Sequence, residues 1–445
     1  MTIMSGSWIQ AAPGHWERGR IKTMIGKSAN GVWGEDPLED GSDIYCVRAA
    51  DFERSHHRVS QKHLPARSVA PRVIRRHQLH RGDLILEKSG GGEKQPVGMA
   101  VMFDLDIVAV CSNFCARIIP AEGVDSRFLT YVLAAAYGQG LTQSAIKQTT
   151  GIQNLDTEAF FGSPWAYPKL DEQRRIAEFL DAETARLDRI MNLRREQAAL
   201  TEERTIARIF NTLRGTEIDE DRKPSGLDWL GDIPASWPVI RVSTEFDVQL
   251  GKMLNQERVT GEYLRPYLRV VNVQWDRIDT DDLVEMNFPP GEKRRYEILP
   301  GDLLINEGGS FPGRAAIWDG RIPEIYYQKA LHRARSRGRS SVRWFYYCLR
   351  LALELKVFEI EGNSTTMTHL TGEQLAAHRF PFPERNVQDQ LTRELDAVIS
   401  NERALLRIAE NQVQLLKERR QVLITAAVTG QVDVSSASGR GIEVP

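Results

Sequence analysis

One segment without proline or glycine is long enough to dictate the architecture around it. Between Asp171 and Leu213 neither residue occurs, and apolar side chains recur every three or four positions. This spacing predicts a single amphipathic helix, about 65 Å long at 1.5 Å per residue. The recurring positions are Ile176, Leu180, Leu187, Met191, Ala198, Ile206, Ile209 and Leu213.

A second segment, residues 385–430, repeats the first at a fixed offset of 215 positions. The pairs include Gln173 with Gln388, Leu180-Asp181-Ala182 with Leu395-Asp396-Ala397, and Gly215 with Gly430. An inserted residue would rotate every later side chain by about 100°, so the constant offset predicts two helices that pack on each other. The alternative is that both segments are surface helices that resemble each other by chance and do not pack together. The predicted coiled-coil seam contains Leu180, Leu187, Met191, Leu395, Val398, Leu405, Ala409 and Leu416.

Length and composition bound the remaining possibilities. The 445 residues suffice for about three domain-sized units, and 41% apolar residues with a net charge of −2 are typical of a soluble globular protein. Neither a signal core nor a membrane span is recognisable, which predicts a cytoplasmic protein. The four cysteines form no paired framework, so we interpret them as packing residues in a reducing compartment: Cys46, Cys111, Cys115 and Cys348.

The parts in front of the two helices also repeat, but their offset drifts. Pro13 and Pro234 each open a Pro-x-x-Trp sequence at an offset of 221, whereas the Gly-Asp pairs at Gly82 and Gly301 are offset by 219. Loops in the front parts therefore differ in length while the helical parts do not. Short β-branched and aromatic runs plus one helix predict a mixed α/β globule in each front part. We interpret Gly-Asp as a tight turn into a strand.

Positive charge concentrates in both front parts. From Arg54 to Arg81 there are eight Lys or Arg, five His and no acid, and no acid occurs between Ile325 and Leu353. Two acid-free basic stretches in a nearly neutral chain favour binding to a polyanion, most plausibly duplex DNA, over merely solvated surfaces. The candidate DNA-binding residues are Arg54, Arg58, Lys62, Arg72, Arg75, Arg76, Lys88, Lys293, Arg294, Arg295, Arg333, Arg335, Arg337 and Arg339.

A search for catalytic motifs finds none. The run from Lys88 to Lys94 lacks the Gly-Lys-Ser/Thr ending of a phosphate loop and is better interpreted as a flexible turn. The Asn-Phe-Pro-Pro sequence at 287–290 follows no glycine-rich cofactor loop, so a loop is again the better interpretation. No spacing of metal ligands recurs between the repeats. The sequence therefore predicts neither a catalytic residue nor a metal site.

Taken together, these residues resemble the specificity subunit of a type I restriction-modification system. The resemblance covers nearly the whole chain. It is carried by the Pro-x-x-Trp openings, the Gly-Asp turns, Thr149-Thr-Gly-Ile-Gln-Asn-Leu155, Pro168-Lys-Leu-Asp-Glu-Gln-Arg-Arg-Ile176, Phe179-Leu-Asp181, Leu416-Lys-Glu-Arg-Arg420 and Ala427-Val-Thr-Gly430.

The resemblance implies an α+β protein with two α/β target-recognition domains in tandem, joined by two long helices in an antiparallel coiled coil. The expected boundaries are recognition domain 1 at 1–167, spacer helix 1 at 168–215, a polar linker at 216–232, recognition domain 2 at 233–382, spacer helix 2 at 383–430 and a disordered tail at 431–445. Each domain would recognise half of a bipartite, asymmetric site in double-stranded DNA, and the coil would set the gap between the halves.

The resemblance also implies that the chain is not itself an enzyme. Its expected partners are two modification (methyltransferase) subunits and the restriction (motor-nuclease) subunits, without a membrane. S-adenosylmethionine, ATP and Mg would bind those partners, and this chain would bind no cofactor. Two alternatives remain open: a fused restriction-modification enzyme, and a coiled-coil scaffold that does not bind DNA.

Overall fold

The computed structural model describes residues 7–149, 151–253, 260–309, 311–361 and 369–434. Its helices are α1 (Ser7–Ala11), α2 (Pro71–His77), α3 (Ser126–Gly138), α4 (Thr157–Phe161), α5 (Leu170–Arg214), α6 (Val242–Glu245), α7 (Lys293–Tyr296), α8 (Val342–Glu354), α9 (Val357–Glu361), α10 (Gly372–Ala377) and α11 (Arg385–Val428).

The strands fall into two series that follow the repeat. The first series is β1 (Glu17–Arg20), β2 (Ile25–Asn30), β3 (Ile44–Val47), β4 (Phe52–Glu53), β5 (Arg58–Val59), β6 (Ala66–Arg67), β7 (Leu84–Glu87), β8 (Ser89–Gly90), β9 (Ala100–Met102), β10 (Ala109–Cys111), β11 (Cys115–Pro120), β12 (Ile146–Thr149), β13 (Ile152–Leu155) and β14 (Pro164–Tyr167). The second is β15 (Arg222–Pro224), β16 (Asp232–Pro234), β17 (Val239–Arg241), β18 (Phe246–Leu250), β19 (Leu264–Leu268), β20 (Val273–Gln274), β21 (Arg277–Ile278), β22 (Val284–Asn287), β23 (Glu297–Ile298), β24 (Leu303–Asn306), β25 (Ala315–Ile317), β26 (Ile325–Tyr327), β27 (Leu331–Ser336) and β28 (Arg379–Pro381).

The chain forms two compact units, and each takes a share of both long helices. Unit 1 comprises Met1–Arg194 with Glu410–Pro445, and unit 2 comprises Arg195–Ala409. Each unit therefore contains one globular domain, part of α5 and part of α11. The long helices begin at equivalent positions of the repeat, as their constant offset predicts.

The two domains share a four-stranded antiparallel arrangement. In unit 1 the strand order β2-β11-β7-β9 is antiparallel throughout, and unit 2 repeats it as β18-β27-β24-β25. In each domain a parallel pair lies in a separate sheet, β3 with β10 and β19 with β26. The predicted α+β class with two α/β domains and two long helices is confirmed.

The Gly-Asp sequences form the predicted turns into strands. Gly82 and Gly301 have φ of +91° and +89°, a left-handed conformation that favours glycine. Oδ2 of each following aspartate accepts a backbone hydrogen bond of 2.7 Å, Asp83 from His80 and Asp302 from Leu299. The turn chemistry therefore fixes where β7 and β24 begin.

The ends of the long helices bind the domains through residues at equivalent repeat positions. The side-chain oxygen of Gln173 accepts from the backbone N–H of Asp125 at 2.9 Å, and Gln388 accepts likewise from Ser341 at 2.8 Å. Both amides are buried. Each glutamine thus joins the start of a long helix to the start of α3 or α8.

The Pro-x-x-Trp sequences pack against the glycines that end the long helices. A Cβ at Gly215 would lie 2.7 Å from Pro234 Cγ, and one at Gly430 would overlap Pro13 Cδ. Only glycine fits such an approach. The end of α5 therefore meets the start of domain 2, and the end of α11 meets the start of domain 1.

The segment predicted as a polar linker, 216–232, is instead part of unit 2. Its strand β15 pairs with β16, and Leu230 lies in the core with 1% of its surface exposed. The side chain of Arg222 donates to the backbone oxygens of Gly215 at 3.1 Å and of Arg214 at 2.9 Å. Its many charged residues resemble the composition of a linker, although the segment makes tertiary contacts within unit 2. Of the predicted disordered tail, residues 435–445 lie outside the described part of the chain.

Within each unit α5 and α11 run antiparallel, but the seam differs at two positions from the predicted one. Leu180, Leu187, Met191, Leu395 and Ala409 are buried, whereas Val398 and Leu416 are half-buried. Leu405 is 56% exposed and does not belong to the seam. Ile399, only 1% exposed, takes the position assigned to Val398.

A buried acid, Glu402, occupies the seam between apolar residues. Glu402 is 6% exposed, and its Oε2 accepts from the hydroxyl of Thr205 at 2.6 Å. Arg208 lies 3.3 Å from Oε1 of the same carboxylate. These partners compensate for the loss of water around the charge, which explains how the acid is accommodated between the helices of unit 2.

Candidate nucleic-acid interface

The short helices α2 and α7 occupy equivalent positions in the two domains. Pro71 aligns with Pro290 and Arg75-Arg76 with Arg294-Arg295, at the same offset of 219 that relates the Gly-Asp turns. Each basic segment immediately precedes its turn and strand. A count of charged residues over long stretches of sequence does not show that α2 and α7 are equivalent. The shared offset of 219 is the sequence signal that does.

Helix α2 directs three arginines away from the domain. Val73 and Ile74 pack against a small apolar cluster that includes Cys46 and Val110. On the opposite face lie three exposed side chains that have no ion-pair partner among the described residues: Arg72, Arg75 and Arg76. Positions i, i+3 and i+4 share one face of a helix, so the three guanidinium groups form a compact positive surface.

Helix α7 is held by aromatic packing and a buried lysine. Tyr296 lies 6.4 Å from the ring of Phe288, which stacks on Tyr326 at 4.1 Å. Lys252, 3% exposed, donates to the backbone oxygen of Asn287 at 2.6 Å and to the carboxylate of Glu292. These contacts fix the start of the helix and leave its basic side chains at the surface.

The basic side chains of α7 are only partly neutralised. Lys293 lies 3.5 Å from Glu297 and 3.6 Å from Glu324. Arg294 and Arg295 are exposed and form no ion pair within the described ranges. Helix α7 therefore presents two available guanidinium groups where α2 presents three.

Two of the candidate DNA-binding arginines are neutralised by partners within domain 2. Arg333 is 3% exposed and donates to Asp247 at 3.0 Å and to the backbone oxygens of Arg295 and Glu297. Arg335 makes two hydrogen bonds to Asp302, with its Nε 2.7 Å from Oδ1, and this pairing raises the pKa of its guanidinium. Neither arginine is therefore available to bind DNA, because carboxylates of domain 2 neutralise both charges.

The remaining candidates differ in their exposure and in whether an ion pair neutralises their charge. Arg54 and Arg58 pair with Glu87 and Asp104 at 2.8 and 2.7 Å. Arg337 lies at the limit of an ion pair, 3.9 Å from Asp247. The side chain of Lys88 is half-buried, and those of Lys62 and Arg339 are exposed.

Helix α2 lies at the end of the large sheet where β7 ends. His77 Nδ1 donates to the backbone oxygen of Asn30 at 2.9 Å. Asn30 is opposite Ala116 in the next strand, and the adjacent Cys115 is opposite Glu87. Neighbouring strands are about 4.8 Å apart, so two strand spacings, about 10 Å, separate the Asn30 backbone from the Glu87 backbone.

The described part of the chain contains no group of three or more His, Cys, Asp or Glu side chains arranged to hold a metal ion. All four cysteines are buried, and Cys111 and Cys115 lie in the core of domain 1, which agrees with a packing role. Among the described residues, no helix is long and apolar enough to cross a membrane.

Comparison with known proteins finds similarity in sequence and in fold. Residues 78–200 match the family model of the type I restriction modification DNA specificity domain. The type I restriction enzyme EcoBI specificity subunit of Escherichia coli is 27% identical over 137 residues, which cover 31% of this chain. That alignment spans 28% of the length of the curated relative.

Two solved structures resemble the whole fold. One, from "Structural basis underlying complex assembly and conformational transition of the type I R-M system", has a TM-score of 0.70 at 18% identity and covers 95% of this chain and 99% of its own. The other, the HsdS subunit from Thermoanaerobacter tengcongensis, has a TM-score of 0.50 at 17% identity and covers 95% and 98%. Both structures show that this chain shares their fold, and the sequence similarity to the specificity-domain model is confined to residues 78–200.

Proposed function

We propose that the chain is the non-catalytic subunit that selects the DNA sequence for a type I restriction-modification complex. Each globular domain recognises one half of a bipartite, asymmetric site in double-stranded DNA. The observation that carries this proposal is the pair of exposed basic helices α2 and α7, placed at equivalent positions of two domains that share a four-stranded antiparallel arrangement.

Positive charge on these helices suits the phosphate backbone. Arginine side chains on one helix face bind phosphates without regard to base sequence, and such contacts set the register of a protein on the duplex. Arg72, Arg75 and Arg76 in domain 1 and Arg294 and Arg295 in domain 2 take this role. The selection of a sequence then depends on side chains that contact base edges nearby.

The long helices connect the two half-sites to the partner subunits. In this proposal α5 and α11 set the gap between half-sites, because the length of a helix is fixed at 1.5 Å per residue. Two modification subunits and the restriction subunits join the complex. S-adenosylmethionine, ATP and Mg bind those partners and not this chain.

The test is to co-express the chain with a modification subunit from its own source and to sequence the host DNA for methylated adenine. The expected result is one gapped, bipartite motif that appears only when this chain is present. A parallel strain with Arg72, Arg75 and Arg76 all changed to Gln should lose methylation at that motif. A soluble complex without sequence-dependent methylation, and without salt-sensitive DNA binding, would support the scaffold function instead.

A further inference from the structure

An open depression beside the end of β7 contains a buried carboxylate and a guanidinium. Its volume is about 800 Å³, and its lining includes Phe52, Arg54, Glu87, Gly92 and Gln95. The side chain of Glu87 is 5% exposed and that of Arg54 is 24% exposed. The depression thus pairs one deep acid with an arginine that reaches towards solvent.

The guanidinium of Arg54 is held in a defined orientation. Its Nη2 donates to Glu87 Oε2 at 2.8 Å. In the amide orientation that satisfies both residues, the oxygen of Gln95 accepts from Nε and also from one N–H of Nη1, at 3.3 Å. The ring of Phe52 lies 5.8 Å from the guanidinium carbon. An arginine fixed in this way loses little conformational freedom when it binds a ligand.

These contacts leave donors available. A guanidinium carries five N–H groups, and within the described part of the chain both terminal nitrogens of Arg54 retain N–H groups that no neighbour requires. Two parallel donors match the O6 and N7 acceptors that guanine displays in the major groove. Lysine offers no such fork, because its ammonium group acts as a point charge.

The surroundings allow a large ligand to approach. Gly91 and Gly92 form part of the wall, and a Cβ at Gly92 would have nothing within 4 Å. Glu87, in the depression, lies two strand spacings, about 10 Å, from Asn30, which His77 at the end of α2 contacts. A duplex that binds the α2 arginines and runs along this end of the sheet would reach the depression.

We propose that Arg54 recognises a guanine in the half-site bound by domain 1, and that Glu87 is the residue that positions it. This inference rests on the proposed function and specifies one contact within it. It also assigns different roles to two groups of arginines. Arg54 contributes to the choice of sequence, whereas Arg72, Arg75 and Arg76 contribute to affinity for any duplex.

The contact belongs to domain 1 alone. At the repeat offset of 219 the counterpart of Glu87 is Asn306, and at the offset of 221 the counterpart of Arg54 is Trp275. Asn306 is 1% exposed, and its amide donates to backbone oxygens inside domain 2. Because the pair is not duplicated, a change at Arg54 should alter one half-site and spare the other.

The experiment selects binding sites from a library of randomised duplexes, using the full-length chain in complex with its modification subunits. The variants are Arg54→Lys, Gln95→Glu and the control Arg20→Lys. Arg20 lies in the same domain, is exposed and donates to the backbone oxygen of Gly162 at 3.0 Å, outside the depression. Gln95 is exposed, so a second carboxylate there can occupy the Arg54 donors without disturbing the core.

With the wild type we expect a bipartite motif that contains a guanine in one half-site. Arg54→Lys and Gln95→Glu should reduce the preference for that guanine by roughly 5- to 150-fold, the range expected for one bidentate contact. Binding to random duplex and its salt dependence should stay the same for Arg54→Lys, since the charge is retained. Arg20→Lys should select the wild-type motif.

The possible failures are distinguishable. If the wild type selects a motif and both Arg54→Lys and Gln95→Glu select it unchanged, Arg54 is only a structural ion pair and this inference is wrong, while the proposed function stands. If both half-sites change together, the assignment to domain 1 is wrong. If the wild type selects no sequence, the proposed function fails and this inference fails with it.

Discussion

The carboxylate of Asp181 in α5 accepts a hydrogen bond of 2.8 Å from the hydroxyl of Tyr131 in α3. Asp396 in α11 accepts the equivalent bond from Tyr347 in α8. Arg127 and Arg343 donate to the same two aspartates at 3.1 and 2.8 Å. In each repeat an arginine and a tyrosine of the short helix therefore bind one aspartate of the long helix. We call this group of three side chains the clamp.

Breaking this clamp should destabilise its unit. We expect Tyr131→Phe to lower the free energy of unfolding by about 1–2 kcal/mol, because it leaves a partly buried carboxylate short of one donor. Denaturant unfolding of the full chain would measure the effect. The matched control is Tyr45→Phe, since Tyr45 is 44% exposed and its hydroxyl has no partner among the described residues. Equal unfolding curves for the two variants would contradict the prediction.

The exposed face of α2 should account for part of the salt dependence of DNA binding. Changing Arg72, Arg75 and Arg76 to Gln should weaken binding to every duplex. The slope of log K against log salt should fall by roughly 1 for each phosphate that the variant no longer binds. Titrations at several salt concentrations, with target and random duplexes, test this. A variant that loses only the preference for the target would show that these residues contact bases instead.

Arg335 should affect stability and not DNA binding. Arg335→Ala leaves the carboxylate of Asp302, which is 1% exposed, without its guanidinium donors, and a buried acceptor left short of a donor costs about 1–3 kcal/mol. Thermal unfolding should therefore shift strongly for this variant. Arg339→Ala is the control, because Arg339 is exposed and has no ion-pair partner in the described ranges. A stable Arg335→Ala variant with weakened DNA binding would restore Arg335 to the interface.

A shorter coil should recognise the same half-sites with a smaller gap. Removing one heptad from α5 near Ala198 and one from α11 near Ala409 preserves the period of the seam. Each helix then becomes about 10 Å shorter, and we expect the gap in the methylated motif to shrink while both half-sites stay the same. Sequencing the methylated host DNA provides the measurement. A changed half-site with an unchanged gap would contradict the role of the coil as a spacer.

The stability of unit 1 should depend on pH through His57. This side chain is 5% exposed and packs against Tyr131, with ring centroids 6.3 Å apart. Burial lowers its pKa from 6.5 to about 3, and the charges of Arg420 and His56 contribute to the same shift. Below about pH 6.5 His57 therefore binds a proton in the unfolded chain, whereas in the folded chain it binds one only near pH 3.

The stability of unit 1 should therefore fall as the pH is lowered. The contribution of neutral His57 is complete above about pH 6.5 and declines as the pH falls towards the folded-state value, by about 1.4 kcal/mol per unit. Denaturant unfolding at about pH 7.5 and about pH 5.5 should show a larger loss of stability for wild type than for His57→Gln. Parallel losses in the two proteins would show that His57 is protonated in the folded state.

Sequence patterns were most informative where structure depends on neighbouring residues. The long helices follow from the period of their apolar residues, and the Gly-Asp turns follow from glycine φ and aspartate capping. Two apolar neighbours such as Val398 and Ile399 can both satisfy the period, so the choice of Ile399 for the seam depended on the facing helix. Similarly, Glu402 is tolerated there because Thr205 donates to it and Arg208 lies beside it on the facing helix.

The sequence by itself determined the duplication, the two long helices and the basic character of both domains, because each is encoded in local spacing or composition. Only the tertiary structure decided which charges are available. Arg333 is neutralised by Asp247, 86 positions away in the chain, and Arg335 by Asp302, 33 positions away. An ion pair between distant residues depends on how the strands assemble, so a count of arginines cannot separate those inside a domain from those on α2 that face solvent.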